Sequence, residues 1–156
     1  MRRQLATLEI GAILLTLGTA VPAGAAPPPT SIRLVTELNG KCLDVGGVSP
    51  RQGAPTTVRG CTGGYPQYWY WDGERLRSTQ NHRCLDVYGA GTGENVQVVT
   101  WHCHDQSHQR WYWDGLKLRS RLNGKCLGVA NSSTADGARV VVAGCRRGET
   151  AQKWHL

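Results

Sequence analysis

The chain has 156 residues, 18 Lys and Arg against 11 Asp and Glu, a net charge of +7, six Cys and no Phe. That length suits one domain and leaves no room for a second of ordinary size. The basic residues Arg33, Lys41, Arg59, Arg75, Arg77, Arg83, Arg119 and Lys125 are scattered rather than run together, which reads as a solvated surface and argues against a nucleic-acid patch.

Met1-Arg2-Arg3 opens the chain with positive charge, and Ile10 to Val21 is an apolar run broken only by Gly and Thr. Ala23-Gly24-Ala25 then supplies small residues at the spacing a signal peptidase reads. The apolar run falls short of the roughly 20 residues a spanning helix needs. Residues 1–25 are therefore expected to be a signal peptide cut after Ala25, and the mature chain to be secreted, with no membrane span. Pro27-Pro28-Pro29-Thr30 makes 26–30 a short, stiff lead-in.

From residue 31 to 156 one frame is written three times. Cys42-Leu43-Asp44-Val45, Cys61 and Gln67-Tyr68-Trp69 return as Cys84-Leu85-Asp86-Val87, Cys103 and Gln109-Arg110-Trp111. They return again as Cys126-Leu127-Gly128-Val129, Cys145 and Gln152-Lys153-Trp154. The first Cys advances by the same interval each time, which divides the chain into units of about 31–72, 73–114 and 115–156. Six cysteines in a small exported chain point to disulfides, for which sequence alone leaves 15 pairings open. Equivalent cysteines should do equivalent things, so the repeat selects Cys42 with Cys61, Cys84 with Cys103, and Cys126 with Cys145.

Within each unit the pattern is strands and tight turns. Asn39-Gly40 and Asn123-Gly124 stand just before a Cys, with Asn81-His82 in the same slot; Asn-Gly predicts a two-residue hairpin with positive φ at both positions. Asp72-Gly73 and Asp114-Gly115 mark a second turn at the joints. Leu34-Val35-Thr36, Leu76-Arg77-Ser78, Leu118-Arg119-Ser120 and Val96-Gln97-Val98-Val99 are too short for helices and read as strands. The fold class is all-β. Trp69, Trp111 and Trp154 share one repeat position, with Trp71 and Trp113 two residues on, and are predicted to drive large rings into a common centre. Gln67, Gln109 and Gln152 are predicted on the same strand face, their amides bonded to neighbouring backbone.

Three such units, each with C-L-D-V or a variant, a Cys 19 later and then Q-x-W, resemble the ricin B-type lectin family over essentially the whole mature chain. The resemblance implies a β-trefoil of three four-stranded units, with similarity to carbohydrate-binding modules of secreted glycan-degrading enzymes. No catalytic module is seen beside this one. It also implies a shallow sugar site in each unit. There the Asp of C-L-D-V accepts hydroxyls, an aromatic two before the second Cys stacks on the sugar ring, and a polar residue precedes the Gln.

By that pattern the middle unit carries the best site: Asp86, Trp101, His108 and Gln109, with Tyr88 adding contact and Val99 replacing a polar residue. The first unit keeps Asp44 and Gln67 but has Arg59 in the stacking place, Thr57 where the family often has Gln, and Pro66 before Gln67, with Tyr65 nearby. The third has Gly128, Val141, Ala143 and Ala151, and is expected to be structural.

His102, His104 and His108 gather around Cys103, but without paired Cys-x-x-Cys or finger-like spacing they are not read as metal ligands. Neither metal nor cofactor is expected. Asn131-Ser132-Ser133 matches a glycosylation sequon, a short pattern common by chance. No Gly-x-Ser-x-Gly elbow is present, and no carboxylates repeat as an acid–base pair. The expected function is a secreted, non-catalytic protein that binds glycans or polysaccharides. The alternative is a trefoil scaffold for protein interaction or inhibition, its sugar sites decayed.

Overall fold

The computed structural model describes residues 30–47 and 52–156. The expected leader over 1–25 and the prolines of the lead-in lie outside those residues. Strands β1 (Val35–Thr36), β2 (Cys42–Val45), β3 (Ala54–Arg59) and β4 (Trp69–Asp72) come first. They are repeated as β5 (Arg75–Ser78), β6 (Cys84–Val87), β7 (Val96–Trp101) and β8 (Trp111–Asp114), and then as β9 (Lys117–Ser120), β10 (Cys126–Val129), β11 (Ala138–Ala143) and β12 (Trp154–His155).

Every pairing among them is antiparallel. β2 pairs with β3, β6 with β7 and β10 with β11. The three long strands then pair with one another: Ala54 lies opposite Thr100, Val141 opposite Gln97, and Ala138 opposite Val58. A ring of three such pairings is what a threefold axis requires. β1 meets β12, Val35 opposite His155, so the two ends of the domain are stitched together. The fold is a β-trefoil. No helix among the described residues is long and apolar enough to cross a membrane.

Trp69, Trp111 and Trp154 are fully buried with Leu34, Leu43, Leu76, Leu85, Leu118 and Leu127. A buried indole N–H needs a partner, and each repeat supplies the same one. Trp69 Nε1 donates to the Leu43 carbonyl at 3.2 Å, Trp111 to Leu85 at 2.9 Å and Trp154 to Leu127 at 3.0 Å. Trp71 and Trp113 do not reach the centre; they pack on the rim of the core, partly exposed.

Two local expectations change. The Asn-Gly slots are not two-residue hairpins with positive φ at both positions. Only the second residue is left-handed: Gly40 at φ +72°, His82 at +56° and Gly124 at +70°. The Asn instead uses its side chain. Asn39, Asn81 and Asn123 Oδ1 accept from the backbone N–H of Lys41, Arg83 and Lys125, closing Asx-type turns inside a longer loop. Nor do Gln67, Gln109 and Gln152 share a strand face with the tryptophans. Each ends a single 3-10 turn just before its strand begins: Tyr65–Gln67, Ser107–Gln109 and Thr150–Gln152.

Charged ties join the units. Lys41 reaches Asp136 at 2.8 Å, and the repeat-equivalent Lys125 pairs with Glu94. At the third joint the corresponding positions are Arg83 and Gln52, and the Gln52 amide oxygen faces His102 Nδ1 at 3.0 Å.

All three disulfides form in the predicted pairing, with Cα atoms 5.2, 5.1 and 5.1 Å apart. Each closes a loop of 19 residues, which in the chain-entropy model contributes about 3 kcal/mol. Replacing Cys126 and Cys145 together by Ala is expected to lower unfolding free energy by about that amount in denaturant titration. A loss below about 1 kcal/mol would mean the unit holds itself shut without its staple.

Candidate functional site

On β6 the side chains alternate, and Asp86 shares a face with Cys84. Its cross-strand neighbour is Val99, while Trp101, the last residue of β7, stands opposite Cys84. Trp101 therefore lies diagonally from Asp86 on one face, within reach of a large ring. A turn over Tyr88–Ala90, with left-handed Gly89, brings Tyr88 round to the same mouth. Asp86, Tyr88, Gly89, Trp101 and His108 line one pocket of about 300 Å³. Tyr88 is 57% exposed, Trp101 half-buried, and Asp86 sits at the bottom, 4% exposed.

Trp101 owes its position to a neighbour from the first unit. Gly53 donates its N–H to the Thr100 carbonyl at 3.0 Å. A Cβ on Gly53 would come within 3.1 Å of the Trp101 ring, and its φ of +80° is itself in glycine's region. The indole is thus backed by bare main chain and turned to the pocket rather than sealed in the barrel.

Gln109 was expected to touch sugar, but it is wholly buried and both ends of its amide are occupied. Nε2 donates to Asp86 Oδ2 at 2.6 Å and to the His102 carbonyl at 2.9 Å, while Oε1 accepts from His104 N–H at 2.9 Å. It holds the aspartate and fastens the loop after Cys103. Gln67 does the same for Asp44, donating to Asp44 Oδ2 at 3.0 Å and to the Gly60 carbonyl at 2.9 Å, and accepting from Thr62 N–H at 2.8 Å. Both are positioning residues and not contact residues.

His108 reaches the pocket wall from the turn before Gln109. His104, which the sequence placed only in a cluster around Cys103, comes to the same carboxylate. Asp86 Oδ2 is 3.8 Å from His104 Nε2 and 3.7 Å from His108 Nε2, too far for hydrogen bonds. The two rings are 4.7 Å apart between centroids. Burial pushes the Asp86 carboxyl up to about 6, against the opposing pull of the Gln109 amide and of His104 and His102. Burial also holds His104 and His108 below the usual histidine value. At neutral pH the carboxylate is ionised at the floor of a pocket with an aromatic wall.

A model of the Ricin-type beta-trefoil lectin domain matches residues 30–154. The chain belongs to this family. Among solved structures it is similar to ThreeFoil, a designed threefold-symmetric protein, at 31% identity and a TM-score of 0.77 over 81% of this chain and 97% of that one. It is also similar to the C-half of an earthworm R-type lectin in complex with GalNAc (23% identity, TM-score 0.68, 81% and 97% covered). A third is 1,3Gal43A, an exo-beta-1,3-galactanase from Clostridium thermocellum (26%, TM-score 0.74), where the match covers 85% of this chain and 31% of the enzyme. No curated protein matches.

The other two lectin units differ from the middle one in ways the repeat makes easy to compare. In the first, Asp44 is buried and opposite Thr57, its carboxyl raised by burial and lowered in part by Gln67 and Arg59. Arg59 stands where Trp101 stands, opposite the half-cystine. In the third, Gly128 removes the acid and Gln152 packs close against the glycine. A Cβ on Gly128 would lie 2.9 Å from Gln152 Cγ. A smaller cleft of about 100 Å³ remains there, with Asn95, Asn131 and Glu149 on its walls. Glu149 is spent on local bonds, accepting from Ala151 N–H at 3.2 Å and from the Ser132 hydroxyl at 3.3 Å.

A raised carboxyl has a defined effect on stability. Asp86 titrates near 6 folded and near 3.8 unfolded, so below about pH 4 it is protonated in both states and costs nothing. As pH rises through 6 its charge is carried in an unfavourable place and stability is lost. Asp86→Asn never carries that charge. Its melting temperature relative to wild type, read in metal-free buffer, is expected to be highest above about pH 6 and to decline toward pH 4. The opposite trend would mean that Asp86 is not a buried carboxylate.

Proposed function

We propose that this protein is a secreted, non-catalytic lectin that binds polysaccharide chiefly through its middle unit. The observation that carries the reading is the meeting of an ionised Asp86 and the Trp101 ring in one pocket, with Tyr88 at the rim. A sugar offers hydroxyls at its edge and C–H groups on its face, so an acceptor beside a flat aromatic wall suits it. Family membership and the likeness to a GalNAc-bound earthworm lectin and to part of a galactanase agree with a glycan as ligand. Asp86 is the one carboxylate on the pocket wall, whereas glycoside hydrolysis ordinarily uses two. The leader expected over residues 1–25 and the three disulfides support export.

One shallow site typically binds at millimolar strength, about −4 kcal/mol. Retention is therefore expected on long chains, where the middle site and a weaker first-unit site at Asp44 engage together, and hardly at all on short sugars. The loss of the acid in the third unit favours a second reading, a scaffold for a protein partner. It would lead if no glycan on a broad array, galactans included, were bound while a stable protein complex was recovered from culture fluid.

In a polysaccharide pull-down, Asp86→Ala and Trp101→Ala are each expected to abolish most retention, and Asp44→Ala to reduce it less. Unchanged retention in both middle-unit variants would remove the assigned site. Because the ionised carboxylate is the acceptor, affinity should be about tenfold weaker at pH 5 than at pH 7. A flat profile would show that Asp86 takes no part.

A further inference from the structure

Asp86, His104 and His108 each turn one potential ligand atom to a common point, all within 4.8 Å of one another. We propose that these three side chains form a binding site for a divalent transition-metal ion of the zinc class. Around Cys103 the histidines have no paired Cys-x-x-Cys or finger-like spacing to complete a metal shell from nearby in the chain. The third ligand comes instead from β6, brought in when that strand packs under the loop after Cys103.

The geometry is near what such an ion needs. Bonds of about 2.0–2.1 Å in a tetrahedral shell put neighbouring ligand atoms about 3.4 Å apart. Here the carboxylate oxygen lies 3.8 and 3.7 Å from the two imidazole nitrogens, a few tenths of an ångström too long, and all three atoms lie within 4.8 Å of one another, so the two rings must close on each other by at most about 1.4 Å. The rings have room to do so, since the His104 and His108 side chains are 25% and 13% exposed. His104 would give up one long contact, Gln106 N–H to Nδ1 at 3.3 Å, because Nδ1 carries the proton once Nε2 holds metal. The outer support is already built: the ligating oxygen accepts from Gln109 Nε2 at 2.6 Å, the kind of bond that orients a metal-bound carboxylate.

The donor set also selects the ion. Two imidazoles and one carboxylate suit zinc, cobalt, nickel or copper, whereas calcium and magnesium take oxygen ligands in larger number. Three protein ligands leave at least one position open. Asp86 and His108 both line the pocket, so that position opens toward it and would take water or a ligand hydroxyl.

The test needs no glycan, which separates its failure from failure of the lectin reading. The chelator-stripped full chain is titrated with cobalt(II), followed by visible ligand-field absorption, and with zinc by calorimetry. Wild type is expected to bind one equivalent of either, with the zinc complex melting several degrees higher and excess calcium not competing. His104→Ala and His108→Ala should each weaken binding at least tenfold, while the exposed His155→Ala leaves it unchanged. His104→Ala keeps the backbone N–H that Gln109 uses and so keeps the fold. Because His104 is off the pocket wall, this variant should still retain polysaccharide in chelator. The absence of saturable binding to wild type, or equal binding by both variants, would overturn the site.

Discussion

One buried amide per unit organises this molecule. The Gln of each Q-x-W repeat ends a 3-10 turn, and its side chain reaches back across the unit to the loop that follows the second Cys. It takes a backbone N–H with one end and gives to a backbone carbonyl with the other. In low dielectric an unpaired amide is costly and a fully paired one is rigid, so the loop has one comfortable place. Two residues on, the Trp indole pins the start of the next strand to a Leu carbonyl of the C-L-D-V strand. The disulfide closes the same loop from its other side.

That brace explains how a site can change while the fold does not. In the first two units the Gln amide has a hydrogen left for the Asp, and it steadies the carboxylate at a fixed depth. In the third unit Gly128 removes the acid, yet Gln152 still bonds to Arg146 N–H and the Gly144 carbonyl. The brace survives without the acid. Once Gln152 has settled against Gly128, the space an Asp side chain would need is gone.

The middle unit carries the opposite burden. Asp86 is held where burial raises its carboxyl, an arrangement that costs stability at neutral pH. Three histidines follow along the same loop, one pair edge-on and the next tilted, with centroid separations of 5.7 and 4.7 Å. Among the described residues, neither other unit has a comparable cluster.

Much of this was legible in the residues. The repeat interval determined three equivalent units, the disulfide pairing and the equivalence of the three tryptophans, because repeated residues at a fixed period occupy equivalent places, while the trefoil itself was implied by the resemblance to the ricin B-type family. Asp86 and Trp101 could be named as partners only through the site pattern that this resemblance implies. Local turn chemistry was legible only in part: Asn-Gly marked the right places but not the geometry, since the Asn side chain had a backbone N–H within reach. The sequence could not show that Gln109 is consumed in bracing Asp86, that Gly53 from another unit backs the indole, or that His104 and His108 converge on a carboxylate from a different strand. Those facts depend on which strands meet and at what depth, and distance along the chain carries no information about either.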